Sequence, residues 1–220
     1  ASNLIADTAP LASLTELKVL YLSSNKITNI YPLANLIALK SLDLANNQIS
    51  DITPLASLSA LATLHLEINQ LADITPLGNL VNLRFLDLMG NQITDISPLA
   101  GLSKLEALDL GSNAISDLSP LETLVSLEQL NLGDNRIDSI ASLADLKNLR
   151  VLSLNDNHIS DISPLVVNNQ IGGLGPGDFV DIRYNYLDLA PGSQAMTDIE
   201  QLVDRGVSVQ YEREDKFMNQ

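Results

Sequence analysis

LDLANNQISDITPLA, residues 42–56, is the stretch on which the fold turns, because the chain keeps returning to it. Steps of 22 residues from Asn47 land on Asn3, Asn25, Asn69, Asn91, Asn113, Asn135 and Asn157. Around the seven from Asn25 to Asn157 the frame reads LxxLxxLxLxxNx(I/L)xx(I/L)xxL, usually with Pro before the closing Leu. A fixed period of this length marks an array of stacked units.

Each unit carries an alternating segment such as LRFLDL, residues 83–88, which reads as a short strand. A turn at the asparagine follows, and then a compact return such as TDISPLA, residues 94–100. One unit cannot bury its leucines alone. Stacking seven of them makes a parallel strand ladder with a shared leucine interior. Strands lie ~4.8 Å apart while the returns are bulkier, so the strand side becomes concave. The framework asparagines are polar groups destined for burial, and each must spend its amide on backbone groups in its turn. Asp51, Asp73, Asp95, Asp117 and Asp161 stand four residues after their asparagines and match N-caps of the short return segments. Capping is preferred over a calcium ladder, since each Asp belongs to its own turn.

The array occupies residues 1–165, and residues 166–220 form a divergent last repeat with a β-α-β cap. After Leu165 the rhythm breaks into VVNNQIGGLGPGD, read as a loop, and Asn185 comes 28 residues after Asn157. The glycines of residues 172–178 approach the GGxGxD calcium motif of secreted toxins. The Asp is displaced by one and the motif occurs once, so a plain loop is expected. A helix is expected from Ser193 or Thr197 to Gly206, with Met196, Ile199, Leu202 and Val203 on one face. Thr197 and Glu200 have capping-box spacing, and VSVQYE follows as a strand. The front has no such lid. The chain opens at Ala1-Ser2-Asn3, halfway through a repeat, which leads us to expect that the natural protein continues upstream.

Hydrophobic residues make up 45% of the 220 but aromatics only 4%, which suits thin identical layers better than an irregular core. The net charge of −15 repels phosphate backbones and anionic bilayers, so nucleic acid is excluded as a partner and membrane insertion is not expected. No apolar run approaches the ~18 residues of a membrane span. The absence of cysteine removes disulfides, thiolate catalysis and cysteine-ligated zinc. The two histidines lie four repeats apart, no serine sits in an elbow motif, and carboxylate pairs fall on an open face. An enzyme is therefore not expected.

The frame with its DI(S/T)PLA element, as in NQITDISPLAGLSKLEALDL (residues 91–110), resembles the 22-residue repeats of bacterial internalins. Related repeats occur in a eukaryotic regulatory subunit of a protein phosphatase. The resemblance covers residues 3–165. It implies an α/β leucine-rich-repeat fold: a right-handed solenoid with a parallel β ladder on the concave face and short 3-10 or turn segments on the convex face. It also implies a secreted or cell-surface recognition protein that grips another protein with the concave face. Two departures are the missing helical N-cap and an ending, LGPGDFVDIRYNYLDL with DIEQLVDRGVSVQYE, unlike the immunoglobulin-like domain that usually follows in internalins. That ending looks more like caps of other bacterial repeat proteins.

Partner information should lie in the outward strand positions two, four and six residues before each asparagine. Tyr21, Asp43, His65, Glu67, Phe85, Asp87, Met89 and Asp109 are the candidate partner-binding residues. Exposed aromatics and Met beside a charged rim are the usual anchors of an interface. Asp43, His65 and Asp87 fall in one column, a row from which a metal could draw ligands. A histidine relieving repulsion between two acids is the simpler reading, and neither metal nor cofactor is expected. His158 reads as a solvated turn residue. Protein recognition is the leading expectation. A structural spacer or a carbohydrate-binding module of a larger surface protein are the rivals.

Overall fold

The computed structural model describes residues 3–211; Ala1, Ser2 and the end of the last expected strand, Glu212, lie outside it with the rest of residues 213–220. Among the described residues nine short strands form one parallel sheet in strict chain order. They are β1 Val19–Tyr21, β2 Ser41–Asp43, β3 Thr63–His65, β4 Phe85–Asp87, β5 Ala107–Asp109, β6 Gln129–Asn131, β7 Val151–Ser153, β8 Phe179–Asp181 and β9 Ser208–Gln210. Each strand is three residues long, one inward central residue between two outward ones. Leu20, Leu42, Leu64, Leu86, Leu108, Leu130 and Leu152 are aligned across the ladder, continued by Val180 and Val209. From Leu42 to Val180 these centres are buried. The returns are 3-10 segments such as Thr53–Ser57, Thr75–Asn79 and Ser97–Gly101. Proline opens most of them, where its missing N–H costs nothing. No helix among the described residues is long and apolar enough to cross a membrane.

The asparagine ladder joins layers as well as closing turns. Asn69 donates through Nδ2 to the carbonyls of Leu66 (3.1 Å) and Glu67 (3.3 Å) in its own turn. The same group also donates to Leu44 O in the preceding repeat, at 3.0 Å, and its Oδ1 accepts the Ile49 N–H at 3.0 Å. Asn47, Asn91, Asn113, Asn135, Asn157 and Asn185 repeat this pattern. The expectation that the amide is used up within its turn therefore captured only half of its work.

The aspartates cap, but from one position further out than an N-cap. Asp51, Asp73, Asp95, Asp117 and Asp161 each accept the N–H two residues on, at 2.8 Å, while an Ile or Leu occupies the cap position itself. Hydrogen bonds from Thr53, Thr75 and Ser97 hold the Asp51, Asp73 and Asp95 carboxyls below the usual carboxylate range.

Two expectations near the C-terminus need correction. Residues 166–170 are not loop: α1, Ser163–Gln170, extends the return into two helical turns, and the six-residue excess of the 28-residue step lies in this helix and the glycine turn after it. Asn168, fully buried, explains the extension. It donates to Leu143 O and Leu146 O of the previous layer and accepts the Leu174 N–H, a job that needs helical spacing. The second helix, α2, Gln194–Asp204, is capped by Ser193, whose hydroxyl accepts the Met196 N–H; Thr197 lies inside it. Ala195, Ile199 and Leu202 form its buried stripe, whereas Val203 faces solvent. Leu174, Val180, Ile182, Ile199, Leu202 and Val207 continue the leucine core and cover its last layer.

One residue breaks a local rule. The position before each framework asparagine sits in the left-handed region, occupied by Ser24, Asn46, Gly90, Ser112, Asp134, Asp156 and Tyr184, but by Ile68 at φ 54° in the third repeat. A β-branched side chain clashes there, and Ile68 recovers little burial, being 50% exposed. Ile68→Asn should therefore raise unfolding free energy by about 1 kcal/mol in chemical denaturation. Asn69→Ala should lower it by about 3 kcal/mol, because the Ile49 N–H loses its partner inside the stack and three carbonyls each lose a donor.

Candidate functional site

Side chains that flank each central Leu point outward. Phe85 is 41% exposed and Tyr21 69% exposed, and the His65 side chain is 41% exposed, so the register inferred from the sequence places them on the wet face. Register pairing lines up Tyr21, Asp43, His65, Asp87, Asp109, Asn131, Ser153 and Asp181 in one column across the sheet. A parallel column runs Val19, Ser41, Thr63, Phe85, Ala107, Gln129, Val151 and Phe179.

His65, Glu67, Phe85, Asp87, Met89 and Asp109 come together on β3–β5 and the turns that follow them. Tyr21 does not join them. It lies on β1, three strands or ~14 Å from β4, with Asp43 on the strand next to it. The expected single patch is thus an anchor cluster plus an outlying tyrosine.

His65, Phe85, Asp87 and Asp109 of this cluster line a shallow hollow of about 240 Å³ that runs on over β5–β7, and Glu67 and Met89 lie outside its lining. Phe85 and Val151 stand at its rims, Ala107 gives it depth, and Asp87, Asp109 and Asn131 line one side. Ala107, Asn131 and Val151 were missed as site residues. Their signal was the order large, small, large along the Phe85 column, which shows only once neighbouring strands are laid side by side. The Phe85 ring is held from its own strand. The Arg84 guanidinium lies 5.7 Å from its centroid and is itself fixed by a two-pronged pair with Glu106 at 2.8 and 2.7 Å.

The carboxylates are anchored by the backbone. Asp43, Asp87 and Asp109 each accept the N–H two residues on, at 2.9–3.0 Å. Asn131 does the same for Gly133 and donates to both oxygens of Asp109 at 3.0 Å. Gly111 leaves the room for that amide, since a Cβ there would sit 2.9 Å from Asn131 Nδ2. At the far end of the face Asp181 is buried and paired with Arg183 at 2.6 and 2.9 Å.

Asp87 stands apart from its column. Burial, with the charges of Glu67 and Asp109 beside it, pushes its carboxyl up to about 6, against the lowering effect of the Met89 N–H and His65. His65 Nδ1 lies 3.8 Å from Glu67 Oε2, an oxygen that is shielded from solvent and accepts no hydrogen bond among the described residues. Donor atoms of His65, Glu67 and Asp87 all fall within 4.8 Å of one another. His158, expected as a solvated turn residue, is exposed, and its ring stacks on Tyr186 at 5.2 Å.

Known proteins agree with this architecture. Leucine Rich repeats (2 copies) match residues 37–79, 81–123 and 125–167, and Leucine Rich Repeat matches residues 16–36. An internalin, InlF, of Listeria monocytogenes is 32% identical over 99% of this chain and 72% of its own, with a TM-score of 0.75. Internalin C2 of the same species is 33% identical over 88% of this chain and 80% of its own, also with a TM-score of 0.75. A leucine-rich-repeat protein of Leptospira interrogans is 25% identical, with a TM-score of 0.81 over 94% of this chain and 52% of its own. No curated protein matches significantly. With family models spanning most of the chain and internalins a third identical along nearly all of it, the chain belongs to the internalin-like leucine-rich-repeat proteins, and its solenoid is a protein-interaction module.

Proposed function

We propose that this protein is a non-enzymatic recognition module, secreted or held at a cell surface in the manner of an adhesin, that binds a protein through the hollow on β3–β7. The observation that carries this reading is the pairing of apolar and acidic groups in one outward concavity. Phe85, Ala107 and Val151 offer apolar surface, and Asp87 and Asp109 lie alongside with their oxygens already oriented. A partner arginine or lysine, with its apolar stem on Phe85 and its head at the carboxylates, satisfies both halves. The net charge of −15 favours encounter with a basic surface. Tyr21 lies far enough away to meet a second point on a protein-sized partner.

The electrostatics favour binding over fold stability. Asp87 is held where burial and neighbouring acids oppose its charge. A cationic partner group would relieve that opposition. A spacer would need no such arrangement, and a carbohydrate would use the carboxylates as acceptors without needing the acidic surplus.

Two measurements check the reading. Basic peptides selected by display against the wild-type protein should lose about 2 kcal/mol of affinity to Phe85→Ala with Met89→Ala, the thermal transition staying in place. Unchanged affinity would move the site elsewhere, and retention of glycans on an array in place of peptides would favour the carbohydrate reading. Asp87→Asn, which keeps the acceptor for Met89 as Asn131 does for Gly133, should raise stability at pH 7. The Asp87 carboxyl is raised in the folded state, so its contribution to stability is complete below the ordinary value and lost as pH rises through about 6. Wild-type stability should therefore increase between pH 7 and pH 5 relative to the Asn variant. The difference should reach about 1 kcal/mol, well under the full value of such a shift because the site is partly open to solvent.

A further inference from the structure

We infer that His65, Glu67 and Asp87 form a binding site for one divalent transition-metal ion of the zinc class. The three donors come from two adjoining repeats: His65 ends β3, Glu67 lies two residues beyond it, and Asp87 ends β4, paired in register with His65. Their ligand atoms already lie within 4.8 Å of one another. An ion ~2.1 Å from each donor holds them roughly 3.0–3.6 Å apart, so rotation of two surface side chains by about an ångström closes the triangle.

An acidic patch alone would not make a site, and two features here go beyond one. The first is the imidazole. One nitrogen beside two carboxylates is a donor set that selects first-row divalent ions over calcium or magnesium, which prefer oxygen only. The second is Glu67 Oε2. It is buried as an atom, accepts no hydrogen bond among the described residues, and lies 3.8 Å from His65 Nδ1. A shielded carboxylate oxygen without a donor is costly, and a cation between it and the imidazole supplies what is missing. The Asp87 carboxylate is already oriented by the Met89 N–H, which donates to Oδ1, the kind of supporting bond that fixes a metal ligand. The sequence places Asp43, His65 and Asp87 in one column, with no metal expected there. The structure instead gathers His65 and Asp87 with Glu67, in the turn that follows β3. Elsewhere on the face the positions equivalent to His65 and Glu67 hold Asp43 with Ala45, Asp109 with Gly111 and Asn131 with Gly133, so this donor set occurs in one layer.

Titration of the purified chain with zinc chloride in a calorimeter, and with cobalt chloride in a spectrophotometer, tests the site. One equivalent should bind at micromolar concentration, cobalt should develop a visible d–d absorption, and His65→Gln or Glu67→Gln should each weaken zinc at least roughly tenfold. Circular dichroism should show both variants folded, as polar residues already stand in these columns. Zinc heats equal in wild type and both variants would place the ion on the general acidic surface and overturn the proposal. So would an absence of heat in the wild type, or calcium binding as strongly as zinc. Should a variant fail to fold, the wild-type protein still decides: the imidazole protons of His65 must shift on adding one equivalent of zinc, while those of His158 stay put.

Discussion

Everything in this molecule depends on the side-chain amide of an asparagine reaching across to the layer before it. A leucine layer by itself is a greasy slab that could slide or rotate on its neighbour, because burial is proportional to area and indifferent to direction. Asn47, Asn69 and their equivalents remove that freedom. Each closes its own turn through Nδ2 and bonds a carbonyl and an N–H one layer back. Those backbone groups are buried and have no water to turn to, so the bonds are obligatory. The asparagines thus set the register in which strands β1–β8 meet. That register then fixes which side chains share a column on the outer face.

Once the columns are fixed, the outer face becomes a separate surface on which composition can vary without disturbing the core. Glycine at 111 and 133 admits neighbouring amides, and Ala107 opens a hollow beside Phe85. Asp87, Asp109, Glu67 and His65 then gather charge where the backbone can orient it but not neutralise it. This arrangement departs from the optimum for stability, and so does Ile68, an exposed β-branched residue in the left-handed region immediately after Glu67. Departures of this kind concentrate at sites used for recognition, since a surface serving the fold alone would have no need of them. Ile68 and this charge cluster lie side by side on β3–β5 and the turns that follow them.

The C-terminal segment shows how such an array stops. Asn168, inside α1, adds bonds to the layer below from a helical position, and α2 lays Ala195, Ile199 and Leu202 over the apolar end. The last strands, β8 and β9, keep the ladder going beneath this lid. Asp181 and Arg183 neutralise each other at that end of the strand face, which leaves the acidic character concentrated on β2–β5.

The sequence by itself determined the period, the parallel ladder, the buried leucines and asparagines and the outward set containing Phe85, His65 and Asp87, because each is a matter of spacing along one chain. The length of α1, the inter-layer half of the asparagine bonding, the separation of Tyr21 from Phe85 and the role of Ala107 in shaping the hollow were decided only by the tertiary structure. So was the meeting of Glu67 with His65 and Asp87. These depend on distances between side chains of different repeats, where a rotamer or a missing Cβ moves an atom by ångströms while the repeat frame stays the same.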